Sequence, residues 1–87
     1  MISAIRVVAT EDFYIVIDLE DGRSLKLNMN YIKEESGSVV QPLKNFEEFK
    51  KVFVRNGIVT WPTGYDIDPY FLESHGTFIT QTAYVAP

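Results

Sequence analysis

The chain predicts an α+β domain: an antiparallel three-stranded meander, one short helix, a second β-hairpin and a short C-terminal helix. Three observations predict it. Residues 13–19, FYIVIDL, alternate with period two and run into Asp21-Gly22, a hairpin dipeptide. A second such pair, Asn56-Gly57, sits between two apolar runs. Asn45 and the Asp68-Pro69 pair stand where helices would begin.

The elements follow in order. Residues 4–9, AIRVVA, make a short strand with Ile5, Val7 and Ala9 on one face and Arg6 on the other. Thr10, Glu11 and Asp12 form a polar turn. In the next strand Phe13, Ile15, Ile17 and Leu19 face one way, and Tyr14, Val16 and Asp18 the other. Asp21-Gly22 predicts a two-residue type I′ turn, in which both central residues take positive φ. The return strand puts Leu25 and Leu27 inward, Ser24 and Lys26 outward. Residues 28–38 are either one helical turn around Met29 and Ile32 or an irregular connection ending in the loop Ser36-Gly37-Ser38.

KNFEEFKKVF, residues 44–53, is the clearest helix. Asn45 caps it, Glu48 completes a capping-box pattern, and Glu47 and Glu48 precede Lys50 and Lys51 as the helix dipole favours. Phe46 and Phe49 share the face that must dock on a sheet. The hairpin about Asn56-Gly57 then sets Val54 opposite Val59 and Val52 opposite Trp61, all four on one face. Asp68 caps a last helix with Pro69 at its first position, Gly76 ends it, and Tyr70, Phe71 and Leu72 supply its buried side. Residues 1–76 form a single domain. Residues 77–87 are a β-prone extension that either adds an edge strand, here or in a second copy, or hangs free.

Composition narrows the function. The chain has 87 residues, 46% hydrophobic, with no Cys and one His, so disulfides, thiolate metal sites and a multi-His centre are excluded. Its net charge is −4 and its 8 basic residues are scattered, which disfavours nucleic-acid binding and suits a basic protein partner. No apolar run approaches the ~20 residues that span a bilayer, and the N-terminus turns acidic too soon for a signal peptide; a cytoplasmic protein is expected. No phosphate loop, zinc ligand set or nucleophile elbow is present.

The unusual residues gather in WPTGYDIDPYFLESHG, Trp61 to Gly76. The candidate corner is Trp61, Pro62, Gly64, Asp66, Asp68 and Pro69. Pro62 stops the strand, Thr63-Gly64 turns the chain, and Asp68, Pro69 and Gly76 are explained by helix boundaries. Asp66 and Asp68 point to one side of an extended stretch, so they could hold a cation or act as an acid/base pair. The structural reading has Asp66 bonding turn amides while Asp68 caps the helix. A hard cation wants six or more oxygens, and only Glu73 lies nearby in sequence. His75 belongs in a last helical turn; adjacent Ser74 lies about 100° round the helix, the wrong geometry for a catalytic pair. Trp61 fills the core or offers a stacking platform.

The blocks DLEDGRSLKL, PLKNFEEFKKVFV and IVTWPTGYDIDPYFL resemble the DUF2442 family of small, mostly bacterial domains of unknown function. Trp61, Pro62, Gly64, Asp66, Asp68 and Pro69 match its final block residue by residue; Thr63 and Tyr65 depart from it, and the tail runs past the usual end. The resemblance implies a small α+β fold. It also implies a place beside another small protein in a toxin–antitoxin-like pair, with this chain as antitoxin. Some members carry a helix-turn-helix after the domain, for which this chain has no room. The expectation is therefore a non-enzymatic protein-interaction module with no cofactor or metal, whose partner is a small protein encoded nearby. A homodimer through a sheet edge or the tail is a further expectation. The alternative is a ligand-binding protein or enzyme using Trp61, Asp66 and Asp68, with His75 or Tyr65.

Overall fold

The computed structural model describes residues 3–79. It is an α+β domain. Strands β1 (Ala4–Ala9), β2 (Tyr14–Leu19) and β3 (Ser24–Asn28) form the meander. They are followed by 3₁₀ turns at Asn30–Glu34 and Gln41–Lys44, then helix α1 (Phe46–Phe49), hairpin β4 (Phe53–Arg55) and β5 (Ile58–Thr60), helix α2 (Pro69–His75) and β6 (Thr77–Ile79). One antiparallel sheet has the order β1-β2-β3-β6, and β4-β5 is a separate pair. Among the described residues, no helix is long and apolar enough to cross a membrane.

The alternation of β2 builds the core floor. Ile15, Ile17 and Leu19 are buried and face Leu25 and Leu27 from β3. The stretch after β3 is a 3₁₀ turn, Asn30–Glu34, with Met29 and Ile32 fully buried. Leu43, Phe49, Val59, Trp61, Ile67 and Leu72 close the core from above.

Three loops use one geometry. The amides of Thr10, Leu19 and Trp61 donate to the carbonyls of Tyr14, Arg23 and Tyr65, and those of Phe13, Gly22 and Gly64 bond back to Thr10, Leu19 and Trp61. In each the fourth residue takes positive φ: Phe13 at 66°, Gly22 at 92° and Gly64 at 103°. The Asp21-Gly22 loop is therefore a three-residue loop with one left-handed residue, not the expected type I′ turn. Asn56 (φ 51°) and Gly57 (φ 79°) do take positive φ together, and Val54 pairs with Val59 as the sequence predicts.

Several placements differ from expectation. A bulge between Ala4 and Arg6 spends one extra β1 residue against β2, which turns Ile5 outward to 62% exposure instead of inward with Val7 and Ala9. Phe13 does not extend β2; from its left-handed position its ring packs on Phe49 and Phe46, 4.7 and 5.9 Å between centroids. Ser24 lies on the outward register yet is fully buried, its hydroxyl donating to Asp18 at 2.6 Å.

Helix α1 is one turn long, because the β-prone run from Val52 takes the chain into β4. Asn45 caps it through the Glu47 amide, at 2.8 Å. Glu48 pairs with Lys51 rather than closing a capping box, and Lys50 and Lys51 fall beyond the last turn. The β4-β5 ladder ends at Phe53 opposite Thr60, so Val52 and Trp61 share the core without a strand pairing. Tyr70 is 72% exposed, since on α2 it lies well round from the buried Leu72. The C-terminal segment adds β6 antiparallel to β3, with Leu25 opposite Phe78. The Arg23 guanidinium covers the Phe78 ring at 4.4 Å. The rest of the expected edge strand, residues 80–87, lies outside the described residues.

On the outward face Arg6 and Asp18 form an ion pair at 2.6 Å. The Ser24 hydroxyl, then Arg6, hold the Asp18 carboxyl below its ordinary value, outweighing desolvation. A carboxyl depressed on folding contributes stability above its unfolded value of about 3.9, and that contribution is lost as pH falls through the folded value. Asp18→Asn keeps an acceptor for Ser24 but removes the charge. The variant is expected to show a smaller drop in urea midpoint between pH 6 and pH 3 than the wild type; equal drops would refute the assignment.

Candidate functional site

The Trp61–Gly76 corner is built by the third of the repeated loops. The Trp61 amide donates to the Tyr65 carbonyl at 2.8 Å and the Gly64 amide returns to the Trp61 carbonyl at 2.9 Å. Thr63 anchors the loop by donating its hydroxyl to the Val39 carbonyl at 2.7 Å. The chain then runs back beside β5, where the Ile67 amide bonds the Val59 carbonyl and Asp66 bridges to Thr60. That return strand buries Ile67 and leaves Asp66 and Asp68 exposed on either side of it.

The six corner residues divide by task. Trp61 is 1% exposed, and its indole Nε1 donates to the Phe49 carbonyl at 2.7 Å, so it offers no stacking face. Pro62 is exposed at the loop, and Gly64 supplies the left-handed residue. The Asp68 Oδ1 accepts the Tyr70 amide at 2.7 Å, an N-cap bond, with Pro69 in the first turn. Asp66 differs: its carboxylate takes no hydrogen bond or ion pair among the described residues, so the expected bonds to turn amides are not made. It stands instead between two shallow clefts, one beside α2 and one beside β4 and β5. Asp68→Ala is expected to cost about 1 kcal/mol through the lost cap. Asp66→Asn should stay within about 0.5 kcal/mol of wild type. Urea midpoints of the two variants check both values, and equal losses would contradict this division.

The cleft beside α2 has a volume of about 240 Å³ and brings Tyr31 and Glu35 to Tyr65, Asp66, Asp68 and Phe71. The Tyr65 hydroxyl donates to Glu35 Oε1 at 3.4 Å. Burial raises the Tyr65 phenol, and the charges of Glu35 and Asp66 push the same way, against the lowering effect of Tyr31. Tyr31 is raised far more, by burial first and then by Tyr65 and Glu35. Both phenols therefore stay protonated. Tyr31 and Glu35 escaped sequence reasoning because no local pattern links them to the corner. Among the described residues no three His, Asp or Glu side chains are placed to hold a metal ion.

His75 lies over the Phe71 ring, stacked at 4.2 Å, with Nδ1 3.2 Å from the Phe71 carbonyl. Ser74 Oγ does come within 3.1 Å of Nδ1, contrary to the helical-wheel expectation, because both side chains fold back on the preceding turn. The Ser74 hydroxyl donates to the Tyr70 carbonyl at 2.8 Å, near the end of α2.

No curated protein and no solved structure matches the chain. A family model does, over residues 4–77, from β1 to the first residue of β6 and including the whole corner: the chain belongs to the family described as protein of unknown function, DUF2442.

Proposed function

We propose that this chain is a small non-enzymatic protein-interaction module, the antitoxin-like member of a two-protein system, which meets its partner through its acidic surface. The observation that carries the reading is the commitment of the corner's reactive-looking side chains: Trp61 is sealed in the core, Asp68 caps α2 and His75 is folded onto Phe71. The net charge of −4 supports a basic partner, and the antitoxin role rests on the family resemblance. Co-purification from the native host is expected to recover the protein encoded beside this one in fixed stoichiometry. Recovery of no stoichiometric partner would overturn the reading.

Self-association is a second protein contact, favoured by Ile5 and Val8 at 62% and 57% exposure on β1, an outer strand of its sheet. Light scattering of the full chain tests it: a dimer mass supports the contact and a concentration-independent monomer refutes it. A small-ligand or enzymatic reading rests on Asp66 alone. It would be revived by a small molecule or cation that raises the melting temperature of the wild type but not of Asp66→Asn.

A further inference from the structure

The cleft beside α2 joins two kinds of wall. Tyr31, Tyr65 and Phe71 make an aromatic side, with Tyr31 and Phe71 5.4 Å apart and Tyr65 braced against Trp61 at 5.6 Å. Glu35, Asp66 and Asp68 make a carboxylate rim, and among the described residues no basic side chain lines the cleft. Its volume of about 240 Å³ is below the ~300–1,000 Å³ of cofactor and drug-sized pockets, so one side chain or a small cation fits it. Burial first, and then the charges of Glu35 and Asp66, raise the Tyr65 phenol that lines this cleft.

The chemistry of these walls selects the occupant. A hard metal ion needs many oxygens, which aromatic rings do not supply. A guanidinium is planar, weakly hydrated and permanently charged; it stacks on an aromatic face while its edge pairs with carboxylates. We infer that this cleft receives an arginine side chain of the protein partner, with its guanidinium against the aromatic wall and paired to Asp66 and Glu35. The inference rests on the interaction-module reading and names the chemistry by which the partner is held. Asp66 is suited to the role because, among the described residues, its carboxylate has no hydrogen-bond or ion-pair partner; Glu35 is exposed and accepts the Tyr65 hydroxyl.

The test is an NMR titration of the ¹⁵N-labelled full chain with Nα-acetyl-arginine amide, and with Nα-acetyl-lysine amide at matched ionic strength. Saturable amide shifts are expected around Tyr31, Glu35, Tyr65 and Asp66, larger for the arginine compound. Asp66→Asn and Glu35→Gln are each expected to weaken the response about fivefold, the upper range for one exposed ion pair. Spectra of both variants away from the cleft should overlay the wild type, showing that the fold is kept. Absence of saturation, shifts scattered over all surface carboxylates, or an undiminished response in both variants would overturn the inference. Co-purification separates the two proposals. A partner that binds the Asp66→Asn, Glu35→Gln double variant as well as it binds the wild type overturns the arginine cleft and leaves the interaction module standing. Failure of the wild type to recover any partner overturns the module, while the arginine titration still decides whether the cleft takes a guanidinium.

Discussion

Replacing Trp61 with alanine is expected to remove about 3–5 kcal/mol of folding stability. A domain of this length has about 4–13 kcal/mol in total, so this one change consumes much of it. The ring is 1% exposed and lies between Phe49 and Tyr65, with centroids 5.7 and 5.6 Å away. Its removal opens a cavity that the hairpin and α1 cannot both collapse into. Trp61→Phe separates volume from hydrogen bonding. It keeps an aromatic ring but withdraws the indole donor from the Phe49 carbonyl, which retains only the Val52 amide at 3.4 Å. That variant is expected to lose about 1–3 kcal/mol. Urea unfolding followed by far-UV circular dichroism at constant m-value reads both losses. A loss under 1 kcal/mol for Trp61→Ala would mean that the indole is not the centre of the core, and the structural account of the corner would fall with it.

The second large effect is Gly76→Ala, whose interest lies in its sign. Gly76 is the C-cap of α2, as the sequence predicts, but with φ −79° and ψ 160°, which any residue adopts. At such a site alanine ordinarily stabilises by about 0.4–1 kcal/mol, by restricting the unfolded chain. Here an added Cβ would lie 2.7 Å from the Leu72 carbonyl oxygen and 3.2 Å from Leu25 Cδ2. The oxygen cannot step aside freely, because it accepts the Gly76 amide at 2.8 Å. Net destabilisation of about 1–3 kcal/mol is expected, the usual cost of overpacking. It should appear first as faster hydrogen exchange in β6, which starts at the next residue. A stabilised variant would show that α2 and β3 are not packed this closely.

These two residues also mark what could be read from the sequence. A glycine that ends the helix at position 76 is legible, but part of its reason is not: beside the local Leu72 carbonyl, Leu25 of β3 crowds the same position, a long-range contact that no helix-end rule contains. The elements that were legible are local. Alternation in β2, positive φ at Asn56-Gly57 and the Asp68-Pro69 helix start each depend on residues within a turn of one another. Period-two alternation places Phe13 in the strand, but its left-handed conformation, rare for phenylalanine, is held by packing on Phe46 and Phe49, far along the chain. The outward turn of Ile5 comes from a bulge whose cause lies in pairing with β2, so alternation within β1 alone misplaces it. The corner was found because its residue types are unusual. The cleft was not, because Tyr31 and Glu35 are ordinary residues brought to Asp66 only by folding.

The place of β6 has a consequence for synthesis. The meander can zip as soon as its residues leave the ribosome, since its contacts are close in sequence. The far side of β3 is sealed only when Thr77–Ile79 arrives, some fifty residues later in the chain. Until then its backbone amides and carbonyls stay open to any passing strand. The interval during which a nascent copy can be captured is therefore set by the time needed to make everything between the two strands, and slowing translation there should lower the soluble yield.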